Sequence, residues 1–334
     1  MRAIKDLWPG DGTSETDVSS LFGPYTERRI KLRLDGRLKK ISLEEEAERV
    51  QQVFRGFAIV DRQLAAARCS PASFAMIGAG SGIEAIGAAQ IFRNLGRLTV
   101  IDGNAAILDQ AAANIRRNID AQIEFESGCM EIRFHALQAW ESHQPVDIIY
   151  ANLLDIHHTI SLEAFGSRGI GCPPVGKTRD DGLLNGYLLA RQYYFLRWAW
   201  QALTPDGCSL VLLGARFAHG LFDYLAAAAG VWLEVVASGL KRQTDPATVL
   251  AAYAAAEKDH IEFDFYDYEK ARNDPNVTGD APGSELSAVL APWRLSAREA
   301  LREFRDGASI GHIFHLMKVT RRGWPYDQML HMAC

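Results

Sequence analysis

Three glycines with even spacing stand between an apolar run and an alanine-rich run, in the segment FAMIGAGSGIEAIGAA that begins at Phe74. The apolar run predicts a buried strand over 73–79, and the second run predicts a helix. Gly78, Gly80 and Gly82 therefore fall at the turn, where the missing Cβ permits positive φ and a close approach to a ligand. Such a turn binds nucleotide-like ligands, and the helix N-terminus offers unpaired N–H groups to an anion. A tight turn without a ligand is the alternative interpretation.

A carboxylate follows the glycines at a spacing that suggests a second contact with the same ligand. Asp102 ends the apolar run RLTVID, about twenty residues beyond the turn, where dinucleotide-binding sheets place an acid on the ribose hydroxyls. A carboxylate can accept hydrogen bonds from both vicinal hydroxyls, and its charge strengthens them. We predict the ribose role for Asp102. An N-cap role for the helix that starts near Ala105 stays open beside it.

Further polar and aromatic candidates lie at the end of the predicted strand VDIIYAN and elsewhere in the chain. Asn152 ends this strand, and its amide oxygen could accept a hydrogen bond from an amino group and so aim the nitrogen lone pair. Asp155 could take a proton or neutralise an ammonium group. Tyr187, near a helix start, and Tyr25, in the N-terminal segment, offer ring faces that favour a cation. The simpler interpretations are a turn cap for Asn152 and packing against the sheet for Tyr187.

The region 71–241 alternates apolar runs of strand length with longer helical stretches, which is typical of an α/β fold with a mostly parallel sheet and helices on both faces. The predicted strands are 73–79, 97–102, residues near 131–137, 146–152, 208–215 and 231–239. The run GHIFHLMKVTRRGW predicts one more strand within 309–334, which forms the last core strand and a tail.

Two regions do not follow this alternation, and we interpret both as caps on the core. Residues 1–70 form an N-terminal helical cap with a loop-like start and one amphipathic helix, whose capping box is Ser42 with Glu45. Residues 242–308 form an insertion before the last strand, with a polar stretch and short helices.

The composition narrows the class of protein. The chain has 334 residues and a net charge of −5. This mildly acidic balance argues against a broad nucleic-acid-binding surface, which needs positive charge. No stretch reaches the ~18 uncharged residues of a membrane span. Five scattered cysteines form no CxxC pair, and His157 and His158 lack a third ligand at a suitable spacing, so we predict no disulfide framework and no metal site. The N-terminus has no signal-peptide core. We expect a cytoplasmic protein with a small-molecule substrate, with a homodimer left open.

The ordered segments FAMIGAGSGIEAIGA, VIDGNAAILDQAAANI, VDIIYANLLD and LTPDGCSLVLLG resemble the motifs of class I S-adenosylmethionine-dependent methyltransferases. The resemblance covers residues 72–240 and the last strand. It implies a seven-stranded, mostly parallel Rossmann-like sheet whose last strand is antiparallel, with S-adenosylmethionine (SAM) across the strand ends. The three glycines would then flank the methionine part of SAM, Asp102 would hold the ribose and Gln138 would reach the adenine.

Two details of the turn bear on this resemblance. In the family an acid often stands two residues before the first glycine, and Met76 occupies that place here, so a common ordering contact of the turn is missing. A site for NAD is disfavoured, because the third glycine is not displaced to admit a pyrophosphate.

Asn152 falls where amine methyltransferases of this family carry an asparagine before two prolines and an aromatic residue. Leu153, Leu154 and Asp155 replace those three residues, a pattern nearer to amine methyltransferases that act on ribosomal protein. The resemblance suggests an amino acceptor that Asn152 would orient. By their own chemistry, Asp155 could take a proton there and a tyrosine ring could face the sulfonium.

Three functions stay open at this point. We expect a transferase that moves the SAM methyl in line to a small, amino-bearing metabolite, as in secondary-metabolite biosynthesis, because two caps can exclude water from a small pocket. In one alternative SAM is the substrate: its α-amino group attacks its own γ-carbon, which closes azetidine-2-carboxylate and releases methylthioadenosine. The other alternative is a SAM-binding protein without catalysis.

Overall fold

The computed structural model describes residues 13–35, 43–129, 144–152, 182–187, 189–257, 261–275 and 283–321. Its strands are β1 (Thr13–Asp17), β2 (Lys31–Asp35), β3 (Ser73–Ile77), β4 (Arg97–Asp102), β5 (Glu124–Cys129), β6 (Val146–Asn152), β7 (Leu203–Ala215), β8 (Val231–Arg242), β9 (Phe265–Asp267), β10 (Arg294–Leu295) and β11 (Ile310–Arg321). Its helices are α1 (Leu43–Ala66), α2 (Ile83–Ile91), α3 (Ala105–Asn118), α4 (Gly182–Gly186), α5 (Ala190–Ala202), α6 (Gly220–Ala229), α7 (Pro246–Ala256), α8 (Tyr268–Arg272), α9 (Gly283–Val289) and α10 (Ala297–Arg305).

Among the described residues, the central sheet is mixed and has nine strands, in the order β10-β9-β11-β7-β6-β3-β4-β5 with β8 paired to β11. Strands β5, β4, β3, β6 and β7 are parallel neighbours, whereas β11 runs antiparallel to both β7 and β8. The predicted count of seven strands is therefore wrong. The extra strands β9 and β10 come from the insertion 242–308 and have three and two residues, too few to leave an alternating pattern in the sequence.

Helices cover both faces of this sheet, because alternate strand residues point to opposite sides. On one face, Phe74 and Tyr150 are buried in a core shared with α1, α2 and α3, where Phe57 of α1 lies edge-on to Tyr150 with ring centroids 5.2 Å apart. On the other face, Ile77 and Ile149 join a separate core with α5 and α6. Strands β3, β4, β6 and β7 are thus buried on both sides, as their near-continuous apolar runs predict. Within the described residues, no helix is both long and apolar enough to span a bilayer.

The N-terminal segment expected to be loop-like contains an antiparallel hairpin of β1 and β2. Three amide side chains of α3, spaced one turn apart, accept the backbone N–H groups of alternate β2 residues. The pairs are Gln110 with Asp35, Asn114 with Arg33 and Asn118 with Lys31, at 2.7, 2.7 and 3.2 Å. The free edge of β2 is therefore paired by a helix surface in place of a strand.

The helical stretch before β7 consists of two helices, α4 and α5. Gly186 ends α4 close to Ile261, where an added Cβ would lie 2.7 Å from the Cδ1 atom. Glycine also lowers helix propensity, so the break falls at a residue that disfavours a helix and has a close neighbour. Tyr187 consequently lies between two helices and not along one continuous face.

Candidate functional site

The three glycines form the turn between β3 and α2, and each has positive φ, at 90°, 52° and 85° for Gly78, Gly80 and Gly82. Residues with a Cβ pay a steric cost in this region. Gly78 donates its N–H to the Ile101 carbonyl at 2.8 Å, which continues the pairing of β3 with β4. A Cβ on Gly82 would lie 3.0 Å from the Ala111 carbonyl oxygen of α3, so this glycine allows α2 and α3 to pack closely.

Gly80 differs from its two neighbours, because a Cβ built on it meets no atom of the described residues within 4 Å. A Cβ on Gly78 would have the Asn152 carbonyl oxygen as its nearest neighbour, at 3.9 Å. The turn therefore faces the end of β6, and its middle residue faces open space. This arrangement fits a ligand that lies against bare backbone.

Asp102 ends β4, is 2% exposed, and holds the turn from the neighbouring strand. Its Oδ2 accepts the Ala79 N–H at 2.8 Å, and its Oδ1 accepts the Asn104 N–H at 2.8 Å. Burial raises the pKa of the Asp102 carboxyl, and the backbone N–H bonds oppose this rise. The turn thus has an ordering carboxylate although Met76 stands where the family often has an acid.

The alternative role of Asp102 as a helix cap is filled by another residue. Asn104 is the N-cap of α3, and its Oδ1 accepts the N–H groups of Ala106 and Ile107 at 3.0 and 3.2 Å. Because a carboxylate offers about four lone-pair sites, Asp102 can accept further hydrogen bonds from a ligand after it has bound two backbone groups.

Asn152 is half-buried at the last position of β6, level with Leu212 of β7. It is brought to the glycine turn because the carboxyl ends of β3, β4 and β6 meet at one edge of the sheet. Two other candidates, Asp155 and Gln138, lie outside the described residues. The strand expected near 131–137 lies there too, and the described strand in this part of the chain is β5.

The two tyrosine candidates lie apart from each other. The Tyr187 ring makes edge-on contacts with Phe217 and Phe263, at centroid distances of 5.9 and 5.7 Å. Phe217 lies two residues after the end of β7, on the same side of the sheet as the turn. The Tyr25 ring instead packs edge-on to Phe54 of α1 at 6.1 Å, and burial raises its pKa. The described contacts thus give Tyr25 a place in the core between the hairpin and α1.

Two buried contacts beneath the turn were missed by sequence reasoning. Arg49 of α1 and Glu84, in the first turn of α2, form an ion pair of 2.6 Å with both side chains 5% exposed. Asn114 of α3 donates to the Ser81 carbonyl at 2.9 Å. An acid such as Glu84 in the first turn of a helix is recognisable in a sequence. Its partner Arg49 is not, because it lies more than thirty residues earlier in the chain.

A buried polar cluster lies where β7 and β11 meet, at the same edge of the sheet. Arg216 Nη2 is 2.8 Å from His312 Nε2 and donates to Gln243 Oε1 at 3.3 Å. Burial and the Arg216 cation lower the pKa of His312 well below its ordinary value. His312 is therefore neutral and accepts through Nε2. On the other face of β11, His315 contacts Ser238 Oγ through Nδ1 at 2.9 Å, so the two histidines do not share a ligand.

No protein-family model and no curated protein sequence matches the chain. Three solved structures that resemble it are methyltransferases by description. The ribosomal protein L11 methylase of Lactobacillus delbrueckii subsp. bulgaricus is 14% identical with a TM-score of 0.35, over 58% of this chain and 71% of that one. The O-methyltransferase of Bacillus cereus, in complex with SAH, is 16% identical with a TM-score of 0.35, over 62% and 79%. The N-methyltransferase NodS of Bradyrhizobium japonicum is 10% identical with a TM-score of 0.33, over 59% and 91%.

Proposed function

We propose that this protein is a SAM-dependent methyltransferase whose acceptor is a small, amino-bearing molecule. The observation that carries the proposal is the meeting of three features at one sheet edge. They are the positive-φ glycine turn, the buried Asp102 carboxylate that binds it, and the end of β6, whose Asn152 carbonyl oxygen is 3.9 Å from a Cβ built on Gly78.

The residues of this edge are suited to hold SAM. The open side of Gly80 would receive the methionine part, whose carboxylate suits the unpaired N–H groups at the start of α2. Asp102 would accept the ribose hydroxyls with the lone pairs that Ala79 and Asn104 leave unused. When bound, SAM supplies a methyl group activated by its sulfonium.

The acceptor nitrogen would be positioned by Asn152. Its amide oxygen and the adjacent backbone carbonyl can accept two hydrogen bonds from an amino group, which leaves the nitrogen lone pair aimed along the direction of attack. Asp155 is proposed to receive the proton that the nitrogen loses, because a carboxylate beside the reacting group can act as a general base. Tyr187 is proposed to steady the sulfonium with its ring face. We do not carry Tyr25 into this site, because its ring packs on Phe54.

Product analysis tests the proposed function against its alternatives. Purified protein is incubated with SAM, with and without an extract of amines, and the nucleoside product is identified by mass spectrometry. We expect S-adenosylhomocysteine (SAH) only when acceptor is present. Methylthioadenosine without acceptor would identify the cyclase instead, and binding of SAM without either product would identify a non-catalytic SAM-binding protein. Absence of calorimetric binding of SAM and SAH to folded protein would overturn all three.

Gly80→Ala is expected to weaken SAH binding at least tenfold while the protein stays folded. The new Cβ would occupy the open side of the turn, and alanine in the left-handed region costs ~1–2 kcal/mol. Gly230→Ala is the matched control, because Gly230 caps α6 with φ of 72° and also has no described atom within 4 Å of a built Cβ. We expect both variants to lose similar stability in urea unfolding. Equal SAH affinity of the two variants by calorimetry would place the ligand elsewhere.

A further inference from the structure

The glycine turn is held by two side chains, one on each side of Gly80. Asp102 accepts the Ala79 N–H at 2.8 Å, and Asn114 of α3 donates to the Ser81 carbonyl at 2.9 Å. The Gly82 N–H, which belongs to the same peptide group as the Ser81 carbonyl, donates to Ala79 at 2.9 Å. The Gly78–Ala79 and Ser81–Gly82 peptide groups, one on each side of Gly80, are therefore held by side chains, and no atom of the described residues lies within 4 Å of a Cβ built on Gly80.

Asn114 also binds the N-terminal hairpin. It is fully buried, its Oδ1 accepts the Arg33 N–H at 2.7 Å, and its Nδ2 donates to the Arg33 carbonyl at 3.0 Å. An asparagine amide has two N–H donors, and here one is used for the hairpin and the other for the turn. Docking of β2 therefore holds the Asn114 amide in the orientation that donates to the Ser81 carbonyl.

Asn118, one helical turn further along α3, makes the same contacts with β2 but none of those with the turn. Its Oδ1 accepts the Lys31 N–H at 3.2 Å, and its Nδ2 donates to the Lys31 carbonyl at 2.9 Å. The second donor contact of Asn118 is to the Asn114 carbonyl within α3, at 2.7 Å. The chain thus contains a natural control for the additional bond of Asn114.

From these contacts we infer that Asn114 is a positioning residue for SAM binding, which couples docking of the N-terminal hairpin to the shape of the glycine turn. The inference rests on the proposed function for one point, which is that the ligand of the turn is SAM. A turn whose peptide groups are already oriented pays less ordering cost when it binds. Coupling between sites is reciprocal, so SAM bound at the turn stabilises the docked hairpin, and a displaced hairpin weakens SAM binding.

The test compares Asn114→Leu with Asn118→Leu in the full chain. Each variant loses a bidentate contact with β2, so we expect similar losses of stability in urea. Only Asn114→Leu is expected to lower the affinity for SAH, by about tenfold for one buried hydrogen bond, and to speed hydrogen exchange at the N–H groups of Ala79 and Gly82. An equal effect of the two variants on SAH affinity and on exchange at the turn would overturn the inference.

A second variant removes the bond to the turn and keeps one of the two bonds to the hairpin. Asn114→Asp keeps the shape and the acceptor for the Arg33 N–H, but it loses both Nδ2 donor bonds, to the Arg33 and Ser81 carbonyls. We expect it to reproduce the faster exchange and the weaker SAH binding. Hydrogen exchange needs no ligand, so failure of wild-type protein to bind SAH would overturn the proposed function and leave the coupling testable. Unchanged exchange at the turn in both Asn114 variants would overturn the coupling alone.

Discussion

Asp102→Ala is expected to abolish measurable SAH binding and to lower the free energy of unfolding. The residue is 2% exposed, and its removal leaves the Ala79 and Asn104 N–H groups without their acceptor, at about 1–3 kcal/mol for each buried donor. Hydrogen bonds to charged groups contribute about 1.5–3 kcal/mol each. Loss of two from the ribose would therefore weaken binding by at least a hundredfold.

Asp147→Ala is a control that separates the loss of stability from the loss of SAH binding. Asp147 lies at the start of β6, at the opposite edge of the sheet, and its Oδ2 accepts the N–H groups of Ala72 and Ser73 at 2.9 and 3.0 Å. Its removal also leaves two backbone N–H groups without their acceptor, but far from the turn. We expect it to lose stability and to keep SAH affinity within threefold of wild type, as measured by calorimetry at a temperature where both variants are folded. An Asp102→Ala protein that binds SAH within tenfold of wild type would contradict the ribose role.

Arg49→Met is expected to destabilise the protein by about 3–5 kcal/mol, the usual cost of leaving one partner of a buried ion pair alone. The Arg49 and Glu84 side chains are both 5% exposed and 2.6 Å apart, so solvent cannot replace the lost guanidinium. Glu84 is the second residue of α2, where the helix dipole favours a negative charge. That offset is at most about 2 kcal/mol and does not compensate for the missing partner.

A double-mutant cycle measures this coupling. Glu84→Leu alone should cost a similar amount, because it leaves the Arg49 cation buried. Arg49→Met with Glu84→Leu removes both charges and should be clearly more stable than the sum of the single changes predicts, by at least 2 kcal/mol in urea unfolding. Single variants within 1 kcal/mol of wild type would contradict the importance of the pair.

The central part of the sheet and of the site could be predicted because its signals are local. The turn of Gly78, Gly80 and Gly82 directly follows an apolar run, and Asp102 ends the next one. Strands that are buried on both faces have near-continuous apolar sequences, so β3, β4, β6 and β7 stand out from the helices between them. The roles in SAM binding or catalysis that we assigned to single residues stay predictions; these residues are Gly78, Gly80, Gly82, Asp102, Gln138, Asn152, Asp155, Tyr187 and Tyr25.

The parts that could not be predicted depend on distant partners or on exposed surfaces. Strand β5 lies at the edge of the sheet, and its residues EFESGC are mostly exposed, so it has no apolar run. The polar strand β1 (TSETD) belongs to a hairpin whose β2 edge is paired by amides of α3, which no period in either segment reveals. The hydrogen bond from Asn114 to Ser81 likewise joins residues 33 positions apart.

The place of β11 in the sheet has a consequence for the order in which the protein can be made. This strand lies between β7 and β8, both of which leave the ribosome before it, and ten of its consecutive residues are buried. In a growing chain, β7 and β8 therefore each expose a strand edge whose partner, β11, has not yet been synthesised. Such unpaired edges recruit other chains. Translation that stops before residue 310 is thus expected to yield a fragment that aggregates.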